Sequence, residues 1–118
     1  MLEKFVDVSD IHGSSGIEGY EFPEPKEELL LNEHAVNAMH RVIMESSEPV
    51  TLVAIAALTN IVLLFVLYPE VKERIKEIVL MGGSITRGNK GVMSEFNIAA
   101  DPEAAAMVGL ESLCYAGG

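Results

Sequence analysis

Apolar and polar positions along this chain follow two different periods, and the switches between them mark out the elements. Val36, Met39 and Ile43, with Ala35 and Val42, recur at spacings of three and four. That spacing lays one apolar stripe along a helix. Asn32 offers an N-cap and Glu33 a first-turn carboxylate, so this helix is expected from Asn32 to about Ser46. Ser46, Ser47 and Pro49 end it. Val50–Ala57 is a continuous apolar run with one threonine, short and β-branched near its start. A strand buried on both faces of a parallel sheet reads this way. Thr59 or Asn60 is then expected to cap an all-round apolar helix over Ile61–Leu67. Pro69 permits a new first turn, and Glu70–Ile75 continues as a short solvated helix. Ile78–Met81 reads as a second buried strand ended by Gly82 and Gly83, and residues 84–97 as a long loop. Asp101-Pro102-Glu103 combines an N-cap, a proline at the first position and an acid behind it, opening a helix through Ala104–Val108. Glu111–Tyr115 is the candidate third strand.

This alternation predicts an α/β fold, a Rossmann-like layer with a mostly parallel sheet flanked by helices. Residues 1–31 differ from the alternating core of 32–118. They form a glycine- and proline-rich loop region with Gly13, Gly16, Gly19, Pro23 and Pro25 among scattered Ile11, Ile17, Tyr20 and Phe22.

Composition narrows the function classes. At 49% hydrophobic the 118 residues are not an intrinsically disordered chain, and the length suits one domain. Eight Lys and Arg against 18 Asp and Glu leave a net charge of −10, so neither nucleic acid nor an anionic membrane is an expected partner. The stretch Val50–Tyr68 carries no charge, but Thr59-Asn60 punctuates it as a helix start, against a membrane span. Cys114 is the one cysteine, so no intramolecular disulfide is implied; it is expected as a small buried hydrophobe. MLEKFVDVSD has acids where a signal peptide would be basic and then apolar, and a cytoplasmic location is expected.

Ligands of open parallel sheets bind beyond the carboxyl ends of the strands. The candidate loops are therefore Ala56–Asn60 and Gly82–Asn97. The second carries Asn89, Glu95 and Asn97, a donor and acceptor set that suits several sugar hydroxyls. Read from the residues alone, the same loop is equally a solvated connection whose polar groups cap and turn the backbone. Gly82, Gly83 and Gly88 lack the G-x-G-x-x-G spacing, which argues against a dinucleotide phosphate site. His12, within DIHGSSG beside Asp10, is either a ligand-side imidazole or a surface residue in a turn. His34 and His40 stand six apart and share no helix face, so both are expected at the surface.

The segments LTN, LMGG, EFN and DPEAA at these spacings, with DIHGSSGIEG upstream, resemble the inosine-uridine-preferring nucleoside hydrolases, in particular the ribonucleoside hydrolase branch. The resemblance runs from about Ser9 to Met107. It implies a single α/β domain that hydrolyses the N-glycosidic bond of purine and pyrimidine ribonucleosides through an oxocarbenium-like transition state. It also implies a bound Ca²⁺, oxygen-ligated, that holds the attacking water. By resemblance, Asn89, Glu95 and Asn97 contact ribose hydroxyls and Met81 packs on the sugar. His12 lies near the base, and Ile55 offers its backbone carbonyl to Ca²⁺. Ala56 and Ala57 stand where the family usually has Gly-Gly or Gly-Pro. The DTDPGxDD-type motif that supplies the family's main calcium ligands and general base is not among these 118 residues. The resemblance therefore makes residues 1–118 one incomplete domain, expected to be inactive alone, to hold calcium weakly and to form homo-oligomers. The alternative is a non-catalytic ribose-binding or self-assembling module derived from that fold.

Overall fold

The computed structural model describes residues 9–17, 19–24, 26, 32–83, 96–109 and 114–117. The chain divides into two compact units, Glu3–Asn32 and Glu33–Gly118 with Met1–Leu2.

In the smaller unit, Ser9–His12 forms one helical turn, α1, where only loop was expected. Gly13 ends it with its N–H on the Ser9 carbonyl at 3.0 Å and a φ of 77°, a left-handed conformation that a side chain would strain. Beyond it the rings of Tyr20 and Phe22 meet edge to face at 4.9 Å.

In the larger unit the order is α2 (Ala35–Glu45), β1 (Val50–Ala54), α3 (Thr59–Leu67), a 3₁₀ helix (Pro69–Arg74), β2 (Ile75–Met81), α4 (Phe96–Ala100), α5 (Pro102–Gly109) and β3 (Cys114–Gly117). The described strands form a parallel sheet in the order β1-β2-β3, as the alternation predicted.

Several boundaries move, each for a local reason. α2 starts at Ala35, not at an Asn32 cap. The His34 imidazole accepts from the Val36 N–H at 3.3 Å, and Glu33 turns to Arg41. β1 stops at Ala54 rather than Ala57, because the chain must turn to bury Leu58 ahead of α3. β2 begins at Ile75, three residues early, where Ile75 is buried and faces Val50. The expected helix over Glu70–Ile75 is instead the tighter 3₁₀ form, and β3 lies at Cys114–Gly117 rather than Glu111–Tyr115. The Cys114 side chain lies outside the described residues. No helix among the described residues is long and apolar enough to cross a membrane; the uncharged stretch divides between β1 and α3.

The period-two pattern of the strands sorts their residues onto two faces. In the β1–β2 register Leu52 lies beside Ile78 and Ala54 beside Leu80. These face a core completed by Val36 and Ile43 of α2, Ile61, Leu64 and Phe65 of α3, and Ala104 and Val108 of α5. α3 touches α2, the 3₁₀ helix and α5, which buries Ile61, Leu64 and Phe65 while Val66 and Leu67 stay exposed. The other face carries Thr51 beside Glu77 and Val53 beside Val79. There Val53 is 65% exposed, so β1 is not buried on both faces as its apolar run suggested.

His40 is not a bare surface histidine. It stacks on Tyr68 at 4.1 Å and shares a 3.1 Å hydrogen bond with Glu70, fastening α2 to the start of the 3₁₀ helix. The Tyr68 hydroxyl donates to the side-chain Oδ1 of Asn37 at 3.0 Å.

Leu64 is fully buried at the centre of this packing. Leu64→Ala is expected to lower the unfolding free energy by about 2–5 kcal/mol through lost burial and a residual cavity. Urea denaturation followed by circular dichroism measures it.

Candidate functional site

β1 and β2 end side by side, with Ala54 paired to Leu80, so the chain leaves the sheet at Ile55 and after Met81 on the same edge. Both side chains there are exposed, Ile55 at 71% and Met81 at 62%. Gly83 follows with φ at 91°, a turn that takes the chain away from β2 in a conformation glycine adopts without strain.

Asn97, in the first turn of α4, closes over both strand ends. Its Nδ2 group donates to the Met81 carbonyl at 2.7 Å and reaches the Ile55 carbonyl at 3.4 Å. Two carbonyls can only be met by N–H groups, so this environment fixes which way the amide is turned. The first contact is a full hydrogen bond and the second lies at the long end of the range.

The structure thus brings together three of the residues singled out from sequence: Ile55, Met81 and Asn97. Asn89 and Glu95 lie outside the described residues. His12 is exposed in the other unit, at the end of α1.

Two further residues complete the larger unit's site region, and sequence reading took both only as helix caps. Asp101 is 1% exposed. Its Oδ1 accepts from the Ala104 N–H at 3.1 Å, the expected cap of α5. Its Oδ2 accepts from the Thr59 hydroxyl at 2.5 Å, which sequence alone did not reveal. Thr59 therefore does not cap α3; the N-cap is Leu58, with no side-chain bond to the helix. The available signal was a pair of polar residues, each opening an apolar helix.

The Thr59 hydroxyl holds the Asp101 carboxyl below the usual carboxylate range; burial opposes this, and the Ala104 N–H adds to it. The ionised form is therefore favoured in the folded chain. Its contribution to stability is present above the unfolded value near pH ~3.9 and is lost as the pH falls through the lower folded value.

Among the described residues no group of three or more His, Cys, Asp or Glu side chains is placed to hold a metal ion. The oxygens at the strand ends are the Ile55 and Met81 carbonyls, both facing the amide N–H groups of Asn97. Calcium takes about six to eight oxygen ligands. The described residues do not fit that requirement.

A parallel strand pair flanked by helices, with the Asn97 amide arching over its carboxyl ends, is the arrangement of an α/β layer. The sequence model of the family described as inosine-uridine preferring nucleoside hydrolase matches residues 1–113. The chain belongs to this family. The match extends beyond the Ser9–Met107 span of the motifs at both ends. The chain is 50% identical over 102 residues to the non-specific ribonucleoside hydrolase RihC of Klebsiella pneumoniae, covering 86% of this chain and 33% of that protein. It is 49% identical over 108 residues to the RihC of Salmonella newport, covering 92% of this chain and 35% of that one. It thus spans about a third of the length of the curated relatives it matches. Among solved structures, the purine-preferring ribonucleoside hydrolase of Gardnerella vaginalis superposes with a TM-score of 0.76 at 33% identity, over 85% of this chain and 32% of that one. An inosine-guanosine nucleoside hydrolase gives 0.73 at 30% identity, over 86% and 33%.

Two measurements check the site. Asn97→Asp replaces a donor with an acceptor facing two carbonyls and is expected to destabilise the fold by about 1–3 kcal/mol; thermal unfolding near neutral pH reads it. Asp101→Asn keeps an acceptor for Thr59 but removes the titrating charge. It is expected to flatten the loss of stability below the ordinary carboxylate range, seen by comparing acid unfolding profiles with the unsubstituted chain.

Proposed function

We propose that this chain forms the ribose-holding part of a nucleoside N-ribohydrolase, which cleaves the N-glycosidic bond of purine and pyrimidine ribonucleosides with water to give ribose and free base. The observation that carries the reading is Asn97 bridging the carboxyl ends of β1 and β2, in a chain half identical to proteins named as ribonucleoside hydrolases. With its N–H groups turned to backbone carbonyls, the Asn97 amide can serve a sugar hydroxyl only through its oxygen. Asn89 and Glu95 add further hydrogen-bonding groups from the preceding loop, and Met81 gives the sugar an apolar wall. As charge develops on the ribosyl ring, the Glu95 carboxylate favours the transition state over the neutral substrate. In the family, calcium would supply the activated water, with the Ile55 carbonyl among its ligands. The described residues do not make such a site.

The aspartate motif that would activate water is not in these 118 residues. The chain alone is expected to bind ribose without turnover. The test is reducing-sugar release from inosine and uridine with added Ca²⁺, alongside a calorimetric titration with D-ribose. Glu95→Ala is expected to abolish ribose binding, since a hydrogen bond to a charged group is worth roughly 1.5–3 kcal/mol. Unchanged ribose affinity in Glu95→Ala would remove the site assignment. Release by the unsubstituted chain, lost in Glu95→Ala, would instead show that water is activated without the aspartates.

The second reading, a self-assembling module, is favoured by the sheet face on which Val53 and Met81 are exposed. Parallel sheets are normally covered on both faces. A homo-oligomer that covers this face, soluble in the cytoplasm and away from nucleic acid and membrane, accounts for it. Light scattering is expected to show association that Val53→Lys reduces; a monodisperse monomer would reject it.

A further inference from the structure

The turn between β1 and α3 is gripped at both ends by the chain segment that runs from α4 into the start of α5. Ile55 is the first residue of that turn and Thr59, which opens α3, directly follows it; Asn97 lies in α4 and Asp101 at the junction of α4 and α5. Asn97 reaches the Ile55 carbonyl at 3.4 Å, and Asp101 accepts from the Thr59 hydroxyl at 2.5 Å.

The two grips differ in strength. Thr59–Asp101 is a charge-assisted O–H···O bond at a carboxylate that is almost wholly buried, and its other oxygen is held by α5. Asn97–Ile55 is a stretched amide contact between exposed groups. The strong grip sets the separation of turn and helix, and the weak one follows it.

We propose that Thr59 and Asp101 are positioning residues for the strand-end site, holding the 55–59 turn where Asn97 meets the Ile55 and Met81 carbonyls together. The inference rests on the ribose-site reading for its functional meaning, but not for its geometry. Thr59 touches no ligand; it acts through Ile55 and Asn97. A ribose hydroxyl approaching the Asn97 oxygen meets an amide plane set by the Met81 carbonyl on one side and by the Thr59-anchored turn on the other.

The experiment uses the 118-residue chain labelled with ¹³C at isoleucine carbonyls and ¹⁵N in asparagine side chains. Thr59→Val removes the hydroxyl at nearly constant volume, and Thr59→Ser restores it. Thr59→Val is expected to displace the Ile55 carbonyl and Asn97 amide signals together, while Ile43 and Ile78, in the core, stay in place. Thr59→Ser is expected to return both to the unsubstituted positions. Unmoved Ile55 and Asn97 signals in Thr59→Val would overturn the proposal. So would displacement spread equally over Ile43 and Ile78, which marks a merely structural role. If Thr59→Val does not fold, Thr59→Ala, which also removes the hydroxyl and leaves the Asp101 cap of α5 in place, is read in the same way, with displaced signals expected and unmoved ones fatal. Adding D-ribose to the same samples separates the two readings. Absence of any ribose-induced shift in the unsubstituted chain would remove the ribose reading and leave the comparison of Ile55 and Asn97 intact. Where ribose binds, weaker binding in Thr59→Val with recovery in Thr59→Ser is the expected outcome.

Discussion

Parallel pairing of β1 with β2 is the constraint from which the rest of the larger unit follows. Parallel strands cannot be joined by a tight turn, so the chain must cross over between them. It does so through α3 and the 3₁₀ helix, and α3 packs against α2 and α5 as it goes. The same direction of both strands puts two carboxyl ends on one edge. An antiparallel pair would have placed Ile55 and Met81 at opposite ends, and no single side chain could have reached both carbonyls.

A buried carboxylate then stabilises the edge. An isolated ionised group as enclosed as Asp101 would cost far more than any contact here returns. It is tolerated because the Thr59 hydroxyl and the Ala104 N–H meet both its oxygens. The arrangement joins the start of α3 to the start of α5, and so holds the turn after β1 to the helices that follow β2. Local helix capping and long-range positioning are carried by one side chain.

Family membership gives this edge its meaning. The chain corresponds to about a third of its curated relatives, and that third contains the strand ends and the amide that arches over them. What the described residues assemble at this edge is an amide bonded to strand-end carbonyls, exposed apolar side chains at Ile55 and Met81, and a glycine turn.

The sequence by itself determined the α/β alternation, the parallel sheet, the cap of α5 at Asp101 and the placing of candidate chemistry after β1 and β2. These follow from hydrophobic period and capping chemistry, which act over a few residues. The family was legible too, because its motifs are short and their spacing is specific. Tertiary structure alone decided the ends of β1 and β2, since burial of Leu58 and Ile75 depends on what packs above them. It decided that His34, not Asn32, caps α2, because Glu33 is drawn to Arg41. It left Val53 of β1 exposed, which an apolar run such as Val50–Ala57 does not reveal. Above all it decided that Thr59 bonds Asp101, 42 residues away, and that Asn97 meets Ile55 at the same sequence separation. Hydrogen bonds over such distances leave no periodicity in a sequence; they exist only once the sheet has brought its strand ends beneath the helices.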